Sequence, residues 1–209
     1  MNIPIVYEDS WLLVVNKPSG LLTIPAPKKQ RRTLLRILNE DLKNRGLSYR
    51  LHPCHRLDQE TSGLIIFAKG KSTQQKMMHV FKKRGVKKLY LALISGRPPR
   101  DQGWIRNPVW GKPALTRYQV LKILKGFSKV MVQPITGRKN QIRLHFKQIG
   151  HPVLGEDRFA FRRDFRIKAK RLCLHAKELD FLHPITKESI HLEVELPEYF
   201  KRFLKDRGE

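Results

Sequence analysis

The sequence predicts an α+β domain, a mixed, mostly antiparallel sheet with flanking helices and loops. Three observations lead there. Strand-like runs outnumber helical ones, the gaps between successive strands are often of hairpin length, and the helical periodicities are short and isolated. At 209 residues the chain can bury a sizeable core without disulfide or metal staples, so 1–209 is expected to form a single domain. No internal repeat suggests a solenoid.

Taken in order, residues 11–15, Trp-Leu-Leu-Val-Val, form an apolar, β-branched run that stops at the turn signal Lys17-Pro18-Ser19-Gly20. Residues 25–32 are a basic, proline-containing loop. A helix is expected over 33–43: Thr33 can cap it, Leu34, Leu38 and Leu42 recur every four residues, and Gly46 stands beyond its end. Residues 63–69 read as a buried strand. Ser72 and Gln75 have the spacing of a capping box, with Met77, Val80 and Phe81 on one helical face and Gly85 as the stop. Strands are expected at 88–94, 115–121 and 127–133, the last two joined by a turn at Lys125-Gly126. In 141–149, Ile142, Phe146 and Ile149 share a helical face, and Gly150 can cap its end. A strand at 189–196 and a helix that Pro197 starts and that runs through Phe203 complete the set.

Composition asks for an acidic partner. Lys+Arg number 43 and Asp+Glu 18, a net charge of +25. Such a domain repels itself unless a polyanion neutralises it, and nucleic acid is the usual one. An anionic membrane surface is the competitor, but no long basic amphipathic helix or lipidation signal supports it. The apolar runs fall far short of the ~20 residues of a membrane span, and the N-terminus lacks a basic-then-apolar signal peptide. Two cysteines, Cys54 and Cys173, make no disulfide framework and fit a reducing cytoplasm. Five of seven residues over 82–88 are Lys or Arg, as are six of ten over 162–171, near Phe159, Phe161 and Phe165. Either run can be a solvated face; at this net charge at least one is expected along an RNA path.

The most informative stretch is 55–64, His-Arg-Leu-Asp-Gln-Glu-Thr-Ser-Gly-Leu. It sets Asp58 near Arg56 just ahead of a strand, and a neighbouring cation favours the ionised carboxylate, a potential nucleophile or base. A lone Asp in such a loop more often accepts backbone hydrogen bonds. The ten residues together, however, resemble the catalytic segment of the RluA-type pseudouridine synthases, whose Asp is the essential catalytic residue. In the expected strand after it, Lys88, Tyr90 and Ala92 share a face. A strand Tyr is commonly a packed aromatic; the alternative is a plate on which a nucleobase stacks. Residues 87–93, Lys-Lys-Leu-Tyr-Leu-Ala-Leu, resemble the family's second motif, which implies that Tyr90 stacks on the target uracil and has a part in proton transfer.

Residues 137–145, Gly-Arg-Lys-Asn-Gln-Ile-Arg-Leu-His, resemble the family motif G-R-x-H-Q-[IL]-R-x-H. The resemblance implies an ion pair between Arg143 and Asp58, Ile142 at the pocket wall, and Arg138 and Asn140 among the substrate-binding residues. One position departs: Asn140 stands where the family usually has His. Asn donates and accepts hydrogen bonds but cannot titrate near neutrality. Segments 150–155 and 172–176 extend the likeness, and with 11–22 it covers essentially the whole chain as a bare catalytic domain, without a separate N-terminal RNA-binding module.

The resemblance implies isomerisation of uridine to pseudouridine in ribosomal or transfer RNA. The target nucleotide must first leave its stack, at a cost of a few kcal/mol, and Arg56 would help to hold the flipped conformation. No cofactor is expected. His52, Cys54 and His55 invite a metal reading, but no paired Cys-x₂-Cys or His-Glu-x₂-His pattern accompanies them, so no metal is expected either. A monomer without an obligatory protein partner suffices. Two rivals compete. An N-glycosidase would use Asp58 and Glu60 as a carboxylate pair and would release free uracil. A non-catalytic RNA-binding or ribosome-associated protein explains the charge but not the coexistence of three separated motifs.

Overall fold

Ten strands and four α-helices form among the residues described by the computed structural model, which are 3–25, 32–165 and 167–208. Most of the expected basic loop at 25–32, namely 26–31, lies outside them, as does Arg166 of the second basic run. The chain divides into two compact units, Met1–Lys87 with Glu178–Val194 and Lys88–Lys177 with Glu195–Glu209.

In the first unit, β1 (Ile5–Glu8), β2 (Leu12–Lys17) and β4 (Ser62–Lys69) pair antiparallel in that order, and β3 (Leu51–Pro53) pairs antiparallel with β4. The strand β9 (Leu174–Leu182) enters this unit at Glu178, neighbours β4, and takes β10 (Ser189–Glu193) antiparallel on its other side. Leu12, Val14, Leu64, Ile66 and Ala68 pack with Met77, Leu179, Phe181 and Ile190 in one core cluster. The alternate residues Leu13, Val15, Ile65 and Phe67 are buried as well. Burial on both faces explains why β2 and β4 are unbroken apolar runs rather than alternating ones. Helix α1 (Leu34–Asn44) starts as expected, with the Thr33 side chain accepting the Arg36 amide.

Two expectations for α2 (Lys71–Lys82) are corrected. Gly70, at φ 98°, occupies the N-cap and has no side chain to offer, so the helix begins before Ser72 and the box with Gln75 does not form. The left-handed residue that closes the helix is Arg84, at φ 58°, not Gly85. Gly85 serves space instead, since a Cβ there would meet Val80 at 3.0 Å.

In the second unit, β5 (Val86–Ser95), β8 (Phe127–Pro134), β7 (Thr116–Leu124) and β6 (Gln102–Ile105) follow one another in the sheet with antiparallel pairing. The expected turn at Lys125-Gly126 joins β7 to β8, with Gly126 at φ 84°. Helix α3 (Gln141–Gln148) buries Ile142 and Phe146, and Gly150 follows it at φ 80°. Helix α4 (Glu198–Lys205) sends Phe200 and Leu204 into a cluster with Leu91, Leu93, Phe127, Leu154 and Cys173. The α+β class with mostly antiparallel pairing stands as expected.

Candidate active site

Asp58 lies half-buried in the loop between β3 and β4, with Arg56 exposed beside it. The carbonyl of Asp58 accepts the Thr61 amide at 3.2 Å, which turns the chain into β4. The loop is held from below by the segment that follows β2. Lys17 is fully buried, and its Nζ donates to the carbonyls of Pro18, Leu21 and Gln59 at 3.0, 2.8 and 3.1 Å. Ser19 Oγ donates to the Glu60 carbonyl at 2.7 Å, and the Gly20 amide donates to that of Gln59. Thr23 Oγ1 donates to the Leu57 carbonyl and accepts the Leu57 amide. The backbone on both sides of Asp58 is therefore fixed by one short segment.

Burial pulls the Lys17 ammonium down to about 7, against the attraction of Glu60 and Asp58. Three carbonyls match the three protons of the ammonium form, so the cage is complete when Lys17 is charged. His55, in the same motif, accepts the Ile66 amide on Nε2 at 3.1 Å; the other nitrogen then carries the proton, and the ring is a neutral strut. No cluster of three or more His, Cys, Asp or Glu that could hold a metal stands among the described residues.

The other candidate residues lie in the second unit. Arg138, exposed, donates from Nε to the Pro113 carbonyl at 3.1 Å. Asn140 is buried and left-handed, at φ 58°, in the N-cap of α3. Asn and His are among the few residues enriched in that conformation, which gives a backbone reason for finding either at this position. Gln141 makes four bonds: Oε1 accepts the Thr136 hydroxyl and the Arg138 amide, and Nε2 donates to the Leu115 carbonyl and Thr116 Oγ1. His145 links Thr116 Oγ1 to the Asn107 carbonyl; burial lowers its pKa despite the Asn107 bond, so it stays neutral. These contacts lock the start of α3 to β7.

On that locked turn, Ile142 and Arg143 are both buried. Arg143 donates from Nε and Nη2 to the two carboxylate oxygens of Glu156, at 2.5 and 2.8 Å. Glu156 Oε1 also accepts the amides of Arg158 and Phe159. Burial pushes the Glu156 carboxyl up, but the Arg143 bonds and charge, with those two amides, outweigh it and hold its pKa below the ordinary value. Gly155 makes this possible: at φ 77°, its missing Cβ would lie 2.0 Å from the Arg171 carbonyl oxygen. Tyr90 is buried in β5 opposite Val132. Lys88 is half-buried with its pKa lowered by desolvation, and its Nζ would sit 4.0 Å from a Cβ on Gly137. Within the basic run at 82–88, Lys82, Lys83, Arg84 and Lys87 are exposed and Lys88 is half-buried.

The structure thus gathers Arg138, Asn140, Ile142 and Arg143 on one turn of the second unit, where Tyr90 also lies, and Asp58 with Arg56 on one loop of the first. Sequence reasoning missed Lys17 and Glu156. Lys17 reads as a turn residue, and nothing in the sequence marks it, because its burial comes from tertiary contacts. Glu156 is an acid after a glycine in a strongly basic stretch, a weak signal.

Comparison with known proteins bears on the family and the fold. The RNA pseudouridylate synthase family matches residues 11–148. The dual-specificity RNA pseudouridine synthase RluA of Haemophilus influenzae is 38% identical over 206 residues, covering 90% of this chain and 90% of that protein. The protein of the same name from Pasteurella multocida is 39% identical over 202 residues, covering 89% and 90%. Among solved structures, human RNA pseudouridylate synthase domain containing 4 superposes with a TM-score of 0.80 at 26% identity, covering 97% of this chain and 92% of that one. Human RNA pseudouridylate synthase domain containing 1 gives 0.73 at 30%, covering 94% and 84%.

Proposed function

The chain belongs to the RNA pseudouridylate synthase family, and on that premise we propose how its residues carry the reaction. The protein is an RNA pseudouridine synthase, an isomerase. The C1′–N1 bond of uridine breaks, the uracil reorients, and a C1′–C5 bond forms. The C5 proton leaves and N1 gains one, so substrate and product are isomers at the same oxidation level and neither a redox cofactor nor an energy source enters.

Asp58 is the catalytic carboxylate and acts as the anion, whether by attack on C1′, by removal of a ribose proton or by addition to C6. Arg143 is its counter-ion in this assignment. Tyr90 stacks on the uracil and its hydroxyl serves proton transfer, while Ile142 forms part of the pocket wall. Arg56 enters the RNA and holds the flipped conformation; Arg138 and Asn140 contact the substrate. The observation that carries the assignment is the clamp on Asp58: Leu57, Gln59 and Glu60 are all hydrogen-bonded to the end of β2 or the segment after it. A carboxylate on a backbone fixed at both sides is preorganised, as catalysis by positioning requires. Arg143 is likewise preset by Glu156. The Oδ1 of Asn140 is buried and has no partner among the described residues.

The substrates are structured RNAs of the ribosomal or transfer class, a reading favoured by relatives named for dual specificity. The enzyme works in the cytoplasm as a monomer and as one catalytic domain. Free, buried Cys54 and Cys173 support a reducing compartment, and a match spanning 97% of the chain supports a single catalytic domain.

The test is Asp58→Asn. The change is nearly isosteric, so folding and bulk RNA affinity, which rests on phosphate contacts, should persist. Pseudouridine formation should fall by many orders of magnitude, because the amide is a poor nucleophile and base. Pseudouridines are mapped in total RNA from cells lacking the gene and complemented with either form. A folded, RNA-binding variant whose rate stays within about tenfold of wild type would falsify the role of Asp58.

A further inference from the structure

The indole of Trp110 stands where a large side chain is least welcome. Val109 and Lys112 exchange two backbone hydrogen bonds, at 3.0 and 3.1 Å. They close a two-residue turn in which Trp110, at φ 54°, and Gly111, at φ 71°, are both left-handed. Asn-Gly and Gly-Gly suit such a turn; a bulky aromatic at positive φ is strained. Strain persists only where the surroundings hold it, and here they do. The indole Nε1 donates to the Lys139 carbonyl at 3.0 Å, and the ring meets Phe159 edge-on with centroids 6.3 Å apart. Yet Trp110 remains 60% exposed. Core packing therefore does not account for a tryptophan in this turn.

Its neighbours indicate what does. Phe159 lies 5.1 Å from the guanidinium of Arg143 and 5.2 Å from that of Arg158. The indole and Phe159 thus form one aromatic wall, with the guanidinium of Arg158 against Phe159. The exposed residues around it are cationic: Lys112 in the same turn, Arg138 bonded to the Pro113 carbonyl, Lys139, whose carbonyl accepts the indole N–H, and Arg158 beside Phe159. Segments 105–115 and 136–143 contain no acid, and Glu156 is neutralised by Arg143, which leaves Asp157 as the nearest carboxylate in sequence. A rigid exposed ring in a cationic frame has the chemistry of a base-stacking platform.

We propose that Trp110 and Phe159 form a stacking site for an unpaired RNA base that neighbours the reacting uridine, with Arg138 and Arg158 neutralising the flanking phosphates. The site rests on the pseudouridine synthase reading and deepens it. Every base has a π face, so the platform is tolerant of base identity and contributes to holding the opened RNA.

Two variants separate the ring from the fold. Trp110→Asn relaxes the turn and removes the ring, so its melting temperature should be no lower than wild type. Trp110→Phe keeps a ring and loses the N–H. Binding is measured by fluorescence anisotropy on a stem–loop RNA with an all-uridine loop and on the same stem–loop with an abasic loop, which keeps the phosphates and removes the bases. Trp110→Asn should bind the uridine loop roughly five- to a hundredfold more weakly and the abasic loop as wild type does. Trp110→Phe should stay close to wild type on both. Equal losses on the two RNAs would mean that the indole acts through the loop or the phosphates, and no loss on either would mean that the ring meets no base; both outcomes overturn the proposal. Pseudouridine formation by the wild-type protein is scored separately on total RNA. Its absence would remove the underlying reading, whereas its presence beside an indifferent Trp110→Asn would remove the stacking site alone.

Discussion

Lys17 shows how a single residue couples the site to pH. Its folded-state pKa is lowered to about 7, whereas in the unfolded chain it returns to the ordinary lysine value near 10.5. Between those values the unfolded form holds a proton that the folded form lacks, so this group makes stability rise with pH across that window. Below about 7 both forms hold the proton and the contribution is flat. The expected slope approaches about 1.4 kcal/mol per pH unit inside the window, superimposed on whatever other groups contribute. Unfolding free energies of wild type and Lys17→Met, measured from pH 6 to pH 9, isolate it by difference. A difference that does not change with pH would show that the cage keeps Lys17 charged throughout.

At the scale of elements, α3 is positioned from within rather than by propensity. Gln141 satisfies four polar groups, on Leu115 and Thr116 at the start of β7, on Thr136 after β8 and on Arg138 before α3. Replacing it with Ala leaves buried donors and acceptors unpaired, at a cost of about 1–3 kcal/mol, and frees the turn that presents Ile142 and Arg143. Urea unfolding should show that loss together with a fall in turnover; a stability change under about 0.5 kcal/mol would show that Gln141 is a bystander. The sequence makes α1 and α3 legible because their apolar spacing and their caps agree. It leaves β1, β3 and β6 dark, since strands of three or four residues at low burial take their conformation from their partners. β9 is hidden for another reason: Lys177, Glu178 and Asp180 interrupt its apolar signal. At the site, the Asp58 and α3 motifs are contiguous and readable, whereas the Arg143–Glu156 pair joins residues 13 apart and Lys17 is buried only by tertiary structure.

For the molecule as a whole, the net charge of +25 predicts RNA affinity that falls steeply with salt. Lys82, Lys83 and Arg84 are exposed, whereas Lys87 lies 3.5 Å from Asp180 and Lys88 is half-buried. Removing the first three charges should flatten the plot of log affinity against log salt by about one unit for every phosphate that is no longer neutralised. An unchanged slope would move the RNA path to the run at 162–171. The interleaving of the two units carries a consequence for synthesis on the ribosome. The first unit is begun by Met1–Lys87 and completed only by Glu178–Val194. β4 ends at Lys69, and the segment of β9 that flanks it begins at Glu178, 109 residues later. At about 5–20 residues per second, the nascent chain waits roughly 5–20 s with part of the β4 edge unpaired. An apolar strand edge left open that long is a natural target for holdase chaperones, and chains released early, before Glu178, would keep it open permanently.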